Sequence, residues 1–330
     1  METIQLGTSG LKPTRIALGT WAIGGWMWGG TEKEEAIATI LRALERGINI
    51  IDTAPVYGLG EAESLVGEAL RRHGRRHEVL IATKVGLSWN DKGVVVRDSR
   101  PEHIRTEVTE SLKRLGVEAI DLYQVHWPDP LVPIEETAQA LAKLREEGKI
   151  RTIGVSNYNV AQLEAFAAAA PLHSLQPPYN IFERAIEQDI LPWCREHKLA
   201  VLAYGALCRG LLSGKVTAGR KYAGDDLRNT DPKFQPGRLE QYLAAVSRLD
   251  RLAKERYGKT VLALAIRFIL DREPNSIALW GARRPDQLDA LDSVMGWQLD
   301  QQALAAIETI LAEEIHDPVG PEFMAPGVRR

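Results

Sequence analysis

Four polar residues of the chain could carry proton-transfer chemistry, namely Asp52, Tyr57, Lys84 and His126. Asp52, Lys84 and His126 each lie at the end of an apolar run typical of a buried strand. A carboxylate in that position is costly unless a cation pairs with it, so Lys84 is the expected partner of Asp52. An ammonium next to a phenol favours phenolate, so we expect Lys84 to lower the pKa of Tyr57 from its usual value of about 10. Tyr57 would then be a proton donor for a carbonyl oxygen that gains negative charge, with His126 as a second hydrogen-bond donor.

Each of these residues also has a purely structural interpretation. Asp52 and Lys84 could form a structural ion pair, His126 could be a core histidine, and Tyr57 could be a packed aromatic residue. Their combination at the ends of three successive strands favours a catalytic site. A hydrolase that uses two carboxylates at strand ends is a rival function. Only Asp52 is well placed for that chemistry, which would also leave Lys84 and Tyr57 without a role.

The elements that must position these residues alternate regularly along the chain. The apolar pattern predicts eight strands, at residues 16–18, 48–52, 79–82, 120–125, 152–155, 174–176, 200–204 and 277–280. Helical patterns lie between them, with Thr31 and Glu34 as a capping box, Ser99 and Asp300 as further caps, and two helices at residues 239–257 and 261–270. This alternation predicts an α/β fold, a (β/α)8 TIM barrel with an N-terminal β-hairpin and extra C-terminal helices. A doubly wound dinucleotide-binding sheet is the competing architecture, but no predicted strand leads through GxGxxG into a helix.

Composition indicates a protein that acts on small molecules. Forty-one basic and forty-four acidic residues give a formal charge of -3, which favours neither nucleic acid nor an anionic membrane as a partner. The two cysteines, Cys194 and Cys208, lack CxxC spacing and indicate a reducing compartment. The N-terminus has no apolar signal core, and no run approaches a membrane span. We therefore expect one cytoplasmic domain over residues 1–330 and no metal site.

The second half of the chain suggests a site for a reductant. Tyr204, at the end of the seventh predicted strand, could stack on a flat ring. The following turn, residues 205–215, combines glycines with two cations and suits a pyrophosphate. After the last strand, residues 281–284 lead into a helix, so backbone N–H groups and guanidiniums face any anion bound there. Arg283 is the favoured contact for a terminal phosphate, whereas Arg284 could equally belong to a solvated turn.

The segments that carry these residues resemble the aldo-keto reductase family. The matching segments occur in order and cover nearly the whole chain: DTAPVYGLGEAESLVGEAL, LIATKVG, DLYQVHWPD, GKIRTIGVSNY, LQPPYNIFER and AYGALCRGLLSGK. The tail DPVGPEFMAP resembles the bacterial branch that includes general stress reductases and glycerol or glyceraldehyde oxidoreductases. The resemblance implies an NADPH-dependent reductase of small aldehydes and ketones, reversible as alcohol oxidation. NADPH would lie extended across the barrel mouth, and NADH would bind more weakly.

The resemblance also implies roles for individual residues. Asp52, Tyr57, Lys84 and His126 would form the catalytic tetrad. The implied cofactor contacts are Ser156, Asn157 and Gln176 at the carboxamide, Tyr204 at the nicotinamide, Gly205, Ala206, Leu207, Cys208, Arg209, Gly210, Lys215 and Arg228 around the pyrophosphate, Arg283 at the 2′-phosphate, Gln287 at the adenosine end, and Thr20, Trp21, Asp52, Gly281 and Ala282 along the cofactor. Many relatives have Glu and Asn where this chain has Ala290 and Leu291. We therefore expect a weaker preference for NADPH over NADH than is usual.

Aromatic residues near the predicted strand ends suggest the walls of a substrate pocket. The predicted substrate contacts are Trp21, Tyr57, Trp89, His126 and Trp127, which suit a small aldehyde or ketone. Trp26 and Trp28 could belong to this wall or simply pack under a loop. A second interpretation is a nicotinamide-nucleotide-sensing binding module, because potassium-channel β subunits resemble the same family. Such a module would keep the cofactor residues and turn over slowly.

Overall fold

The computed structural model describes residues 1–329, and eight of its strands close into a parallel barrel. The strands are β1 (Ile16–Gly19), β2 (Ile50–Asp52), β3 (Leu80–Val85), β4 (Leu87–Trp89), β5 (Val95–Arg97), β6 (Ile120–Val125), β7 (Ile150–Ser156), β8 (Ser174–Gln176), β9 (Ala200–Ala203), β10 (Ser276–Gly281) and β11 (Gly327–Val328). The barrel order is β1-β10-β9-β8-β7-β6-β3-β2, so each barrel strand pairs with its sequence neighbour in the barrel and β1 closes on β10. This is the predicted (β/α)8 TIM barrel.

Helices cover the outside of the barrel. They are α1 (Lys33–Glu45), α2 (Glu61–His73), α3 (Pro101–Leu115), α4 (Ile134–Glu146), α5 (Val160–Ala169), α6 (Ile190–Glu196), α7 (Arg238–Tyr257), α8 (Val261–Arg272) and α9 (Gln301–Glu314). Barrel strands read as continuous apolar runs because one set of side chains meets the helices and the other fills the barrel. In β1, for example, Ile16 and Leu18 pack in the layer under the helices, whereas Ala17 belongs to the cluster inside the barrel.

The predicted N-terminal hairpin is present and closes the lower end of the barrel. Backbone hydrogen bonds join Ile4 to Pro13 at 3.1 Å and Leu6 to Leu11 at 2.9 Å. Leu6 is 1% exposed and packs with the side chains inside the barrel. The hairpin therefore lies at the end opposite to the carboxyl ends of the strands, where the candidate site is found.

Two of the predicted helix caps are wrong. Thr31 and Glu34 form no capping box, because α1 begins two residues after Thr31 and has no side-chain cap. Ser99 does not cap α3, which begins at Pro101, a residue whose fixed φ suits the first helical position. Asp300 does cap α9, since its carboxylate accepts the N–H of the third helical residue at 2.9 Å.

A small three-stranded sheet beside the barrel mouth was not predicted. β4 and β5 form an antiparallel hairpin directly after β3, and β11 from the C-terminal tail adds to β5 in parallel. Arg97 donates to the carbonyl of Pro326 at 3.1 Å, and Arg329 forms ion pairs with Asp98 and Asp129. These contacts hold the tail across the mouth of the barrel.

A long loop between β9 and α7 crosses the other side of the mouth. Its three 3-10 segments cover residues 208–213, 227–229 and 232–234. Leu227 donates to the carbonyl of Met27 at 2.9 Å, and the Asp225 carboxylate accepts the N–H groups of Met27 and Gly29. The loop after β9 is therefore tied to the loop after β1.

Within residues 1–329, no helix has the length and apolarity needed to cross a membrane. The same residues contain no cluster of three or more His, Cys, Asp or Glu side chains that could hold a metal ion. Cys194 and Cys208 are both buried and are not linked by a disulfide.

Candidate active site

Asp52, Tyr57 and Lys84 meet at the carboxyl ends of β2 and β3. The Lys84 ammonium donates to Asp52 Oδ1 at 2.6 Å, to the carbonyl of Thr53 at 3.0 Å and to the Tyr57 hydroxyl at 3.2 Å. Lys84 is fully buried, and Asp52 is 2% exposed. The expected pairing of Asp52 with Lys84 is therefore present, and it places an ammonium directly against the phenol oxygen.

The loop that carries Tyr57 is held close to the loop after β1. A Cβ atom on Gly24 would lie 2.7 Å from the carbonyl carbon of Tyr57, so only glycine allows the two backbones to approach this closely. The Tyr57 ring stacks on Trp21 at 6.0 Å and meets His126 edge-on at 5.8 Å. These contacts fix the phenol between the strand ends and the cleft.

The second oxygen of Asp52 is also bound. Oδ2 accepts the side-chain amides of Gln176 at 2.8 Å and Gln124 at 3.1 Å. The Gln176 amide also donates to Oε1 of Gln124 at 3.2 Å. All of these atoms lie inside the barrel, so the Asp52 charge is satisfied entirely by protein groups.

Burial and charge together set the protonation of this cluster. Burial alone would lower the pKa of Lys84, but Asp52 and Tyr57 outweigh it and raise that pKa above its usual value. Burial, and then the Lys84 charge, lower the pKa of His126 well below its usual value, so His126 is neutral. A charged Lys84 next to a neutral His126 offers hydrogen-bond donors without a second positive charge.

The expected direction of the Tyr57 pKa is wrong. Burial raises the pKa of the phenol, Lys84 opposes this, and Asp52 adds to it, so the result is a raised pKa. The Lys84 contribution has the expected sign, but removal of the phenolate from water is the larger effect. Tyr57 is therefore a neutral phenol at physiological pH, and it still holds the proton that a general acid must donate.

A cleft of about 750 Å³ opens above this cluster. Of the residues predicted from the sequence, the cleft is lined by Thr20, Trp21, Asp52, Tyr57, His126, Trp127, Ser156, Asn157, Gln176, Tyr204, Gly205, Ala206, Leu207, Arg209, Gly210, Lys215, Arg228, Gly281, Ala282, Arg283 and Gln287. Lys84 is fully buried and does not line the cleft, but it contacts Asp52 and Tyr57, which do. Cys208 is fully buried beneath its turn, and Trp89 packs among apolar residues beside the cleft. Neither residue is among those that line the cleft, and their contacts with cofactor and substrate stay predictions.

Polar side chains gather at the inner end of the cleft. Ser156 donates its hydroxyl to the carbonyl of Gln176 at 2.7 Å, and the Asn157 amide donates to Ser156 at 3.0 Å. The Tyr204 hydroxyl donates to Oδ1 of Asn157 at 2.8 Å. Asn157 has a left-handed backbone with φ of 62°, a conformation that asparagine tolerates better than most residues. This arrangement brings hydroxyl, amide and aromatic groups from the ends of β7, β8 and β9 to one place.

Arg209, which lines the cleft, is also bound to two buried carboxylates. It donates two hydrogen bonds to Glu183, at 2.7 and 3.1 Å, and one to Asp231 at 2.7 Å. Lys233 also pairs with Glu183 at 2.8 Å, and all four side chains are buried. Three of its five donors are occupied, so Arg209 holds the turn after β9 in place, and its contact with a pyrophosphate stays a prediction.

The outer end of the cleft carries the remaining cations. Arg228 pairs with Asp226 and lies over the ring of Trp28, 5.0 Å from its centroid. Arg283 donates to the carbonyls of Trp28 at 2.7 Å and Gly30 at 2.5 Å. These two cations therefore border the loop after β1, in a region that Lys215 and Gln287 also line.

The structure includes functional candidates that the sequence did not reveal. Gln124 is the clearest, and a polar residue inside the apolar run of β6 was the available signal. The tail contributes Phe323, Met324, Ala325 and Pro326 to the cleft, whereas Trp26 and Trp28, for which the sequence left two interpretations open, also line it. No local pattern in the tail predicts its return to the barrel mouth. The complete arrangement can protonate a carbonyl oxygen at its inner end and bind an anion at its outer end.

The fold and this arrangement define a reductase barrel. The model of the Aldo/keto reductase family matches residues 15–312, and the chain belongs to the aldo-keto reductase family. It is 54% identical over 329 residues to "Aldo-keto reductase YhdN" of Bacillus subtilis (strain 168), covering 100% of this chain and 99% of that protein. It is 37% identical to the "NADH-specific methylglyoxal reductase" of Escherichia coli (strain K12), covering 87% of this chain and 91% of that protein.

The fold is shared with a solved bacterial structure. The glycerol dehydrogenase AKR11B4 from Gluconobacter oxydans is 50% identical and superimposes with a TM-score of 0.88, covering 98% of this chain and 99% of that one. The chain is accordingly an oxidoreductase of carbonyl and alcohol substrates that uses a nicotinamide cofactor.

Proposed function

We propose that this protein is an NADPH-dependent reductase of small aldehydes and ketones, reversible as alcohol oxidation, with Tyr57 as the general acid. The observation that carries the proposal is the position of the Lys84 ammonium, which contacts both Asp52 at 2.6 Å and the Tyr57 hydroxyl at 3.2 Å beneath an aromatic cleft. NADPH, when bound, supplies the hydride to the carbonyl carbon. The remaining steps belong to residues of the chain.

Tyr57 donates its proton to the carbonyl oxygen as negative charge develops there. The raised pKa keeps the phenol protonated, and the Lys84 hydrogen bond stabilises the phenolate that remains after the transfer. Asp52 holds Lys84 in position and keeps it charged. The neutral imidazole of His126 faces the same part of the cleft and donates its N–H to the carbonyl oxygen.

The cleft fits an elongated cofactor with an amide at one end and phosphates towards the other. Ser156, Asn157 and Gln176 are the candidates to hold a carboxamide, and Tyr204 is placed to stack on the nicotinamide ring. Lys215 and Arg228 supply positive charge for a pyrophosphate. This order of groups, from inner amides to outer cations, supports a nicotinamide dinucleotide as the cofactor.

Arg283 and Gln287 carry the proposed preference for NADPH. Arg283 adds a guanidinium at the outer end, and Gln287 Oε1 accepts the backbone N–H of Arg283 at 2.7 Å, which fixes the turn. Leu291 is 1% exposed and packs in the core, so it offers no contact to an adenine. We therefore propose NADPH as the preferred cofactor with NADH as a weaker one. Because one relative is named as NADH-specific, this preference has to be measured with both cofactors.

The test is the loss of NADPH absorbance with a panel of small aldehydes and diketones, repeated with NADH and with a Tyr57→Phe variant. We expect turnover that prefers NADPH and falls more than about 100-fold in the variant. NADPH binding, measured by fluorescence titration, should be nearly unchanged by the substitution. Turnover retained in Tyr57→Phe would overturn the role of Tyr57. Tight NADPH binding without turnover by the unmodified protein would overturn the reductase and favour the nucleotide-sensing module.

A further inference from the structure

Gln124 is a fully buried amide in the middle of the barrel. It lies on β6, between Lys84 of β3 and Gly154 of β7 in the strand register. A Cβ atom on Gly154 would lie 3.0 Å from Cγ of Gln124 and 2.4 Å from the Ser174 hydroxyl, so glycine makes the space that the amide occupies. A buried amide is destabilising unless its polar atoms are bonded, which directs attention to its partners.

The partners of Gln124 fix the orientation of two amides at once. An ionised carboxylate only accepts hydrogen bonds, so the atoms of Gln124 and Gln176 that face Asp52 Oδ2 must both be nitrogens. The Gln176 nitrogen uses its second proton on Gln124 Oε1. The polar atom of Gln176 that is left for a ligand is therefore an acceptor oxygen, and Gln176 lines the cleft.

We propose that Gln124 is a positioning residue for the proton transfer and for the cofactor carboxamide. With Gln176 it holds Oδ2 of Asp52, which leaves Oδ1 to Lys84, and it turns the acceptor oxygen of Gln176 towards a ligand N–H. Gln124 itself does not line the cleft and acts only through these neighbours. The inference rests on the function proposed above, since it assigns Gln124 a part in the same reaction.

The effect of Gln124 on Tyr57 follows from the groups that face the phenol. These are Asp52 from β2, Lys84 from β3, His126 after β6 and Tyr204 after β9. Asp52 raises the pKa of Tyr57, and hydrogen bonds to Oδ2 spread its negative charge. Loss of the Gln124 donor concentrates that charge and raises the pKa of Tyr57 further. Carbonyl reduction needs the protonated phenol, so the pH at which the kcat of reduction falls becomes higher. Alcohol oxidation needs the phenolate, so the pH at which the kcat of oxidation rises also becomes higher.

The experiment compares Gln124→Met with Tyr123→Phe. The substitution to Met keeps the volume and removes the amide. Tyr123 is the matched control because it precedes Gln124 on β6, faces the helices and has a buried hydroxyl without a hydrogen-bond partner among the described residues. The pH profile of kcat in both directions, the NADPH dissociation constant and the thermal unfolding midpoint are measured for each protein.

For Gln124→Met we expect a kcat about 10-fold lower at neutral pH and NADPH binding weakened a few-fold through Gln176. The midpoint of the fall of reduction kcat at high pH, called the high-pH midpoint below, should rise by about half a pH unit or more. Tyr123→Phe should leave all three unchanged. A Gln124→Met protein with an unshifted pH profile and only a lower unfolding midpoint would overturn the proposal and leave Gln124 a structural residue.

A second variant keeps the test decisive if Gln124→Met does not fold. Gln124→Asn retains an amide in the barrel but withdraws it from Asp52, so we expect the same upward shift of the high-pH midpoint. An unshifted midpoint in a folded Gln124→Asn protein would overturn the proposal. Failure of the underlying function is distinguishable, because the unmodified protein and Tyr123→Phe would then both lack carbonyl reduction.

Discussion

The two ends of the cleft hold their charges in different ways. The strand-end cluster (Asp52, Lys84, Gln124 and Gln176) lies on β2, β3, β6 and β8, and each member bonds to another member inside the barrel. The loop wall (residues 205–238 and 281–287) carries its cations on loops, most of them paired with a nearby carboxylate. The register of the barrel strands fixes the relative positions of the side chains in the strand-end cluster. The loop wall instead consists of local ion pairs that can be broken one at a time. Single substitutions should therefore act on catalysis in the cluster and on affinity or stability in the loop wall.

The largest expected effect comes from removing the cation of the strand-end cluster. Lys84→Met should reduce kcat about 1,000-fold, because Tyr57 loses the donor that stabilises its phenolate. The free energy of unfolding should also fall by about 3–5 kcal/mol, since Asp52 remains buried without a counter-charge. Steady-state kinetics and urea unfolding measure the two effects.

Lys149→Met is the control for Lys84→Met. Lys149 is partly exposed and pairs with Glu147 at 3.5 Å, far from the cleft, so both quantities should stay nearly unchanged. A kcat within about 10-fold of the unmodified protein in Lys84→Met would remove Lys84 from the mechanism, and an unchanged unfolding free energy would show that the pair does not stabilise the barrel.

Arg209 tests whether a buried ion pair in the loop wall stabilises the fold as much as the Asp52–Lys84 pair of the strand-end cluster does. Arg209→Met leaves Glu183 and Asp231 buried with only Lys233 as a cation, so the unfolding free energy should fall by about 3–5 kcal/mol. Arg284→Met removes an exposed pair with Asp286 and should change it by less than about 1 kcal/mol. Equal effects of the two substitutions in urea unfolding would contradict the distinction.

The same buried pairs predict an acid-sensitive stability. Burial alone would raise the pKa of Glu183, but Arg209 and Lys233 outweigh it and lower that pKa to about 2 from an ordinary value of 4.5. The folded state therefore binds the proton less tightly than the unfolded state, and the stabilisation is complete above about pH 4.5 and is lost as the pH falls towards 2. Unfolding measured across this range should show a smaller pH slope in Glu183→Gln. An unchanged slope would assign the acid sensitivity to other carboxylates.

Arg283 tests affinity at the outer end of the loop wall. Arg283→Ala should weaken NADPH binding about 10- to 100-fold and NADH binding little, because charge-assisted hydrogen bonds to a 2′-phosphate are lost. Arg284→Ala is the matched substitution, and its exposed, Asp286-paired side chain should change either affinity less than about 3-fold. Equal losses for NADPH and NADH in Arg283→Ala would show that Arg283 does not contact the 2′-phosphate.

The smallest expected effect concerns two tryptophans beside the strand-end cluster. Trp127 lines the cleft and lies under the guanidinium of Arg97, whereas Trp89 packs beside the cleft. Trp127→Ala should raise KM for small aldehydes several-fold, up to about 10-fold, and Trp89→Ala should lower stability with little change in KM. Steady-state kinetics and thermal unfolding separate the two outcomes. A larger KM change in Trp89→Ala would return Trp89 to the pocket wall.

Sequence predicted the pairing of Asp52 with Lys84 in the strand-end cluster, because parallel barrel strands bring their carboxyl ends to one face, but it did not reveal Gln124. Knowing that Asp52 and Lys84 end neighbouring strands was enough to place them together. The raised pKa of Tyr57 was not predictable in this way, because the extent of burial depends on tertiary packing by Trp21 and His126. Residue type identified the charges, and burial decided the direction of the shift.

Sequence was less informative about the loop wall and the tail. Arg209 has a basic side chain in a glycine-rich turn, but its carboxylate partners come from residues 183 and 231, which no local pattern connects to it. β11 is two residues long and pairs with a strand more than 200 positions earlier. Such pairings depend on where the chain returns in space, so local periodicity does not reveal them.

The hydrogen bonds from Arg283 to the carbonyls of Trp28 and Gly30 have a thermodynamic consequence. A guanidinium has five donors, so Arg283 can keep both bonds and still bind a phosphate. If it does, binding of the cofactor phosphate and ordering of the loop after β1 are thermodynamically coupled, and each stabilises the other by the same free energy. Substitutions at Trp26 or Trp28, in the loop after β1, would then change the ratio of NADPH to NADH affinity.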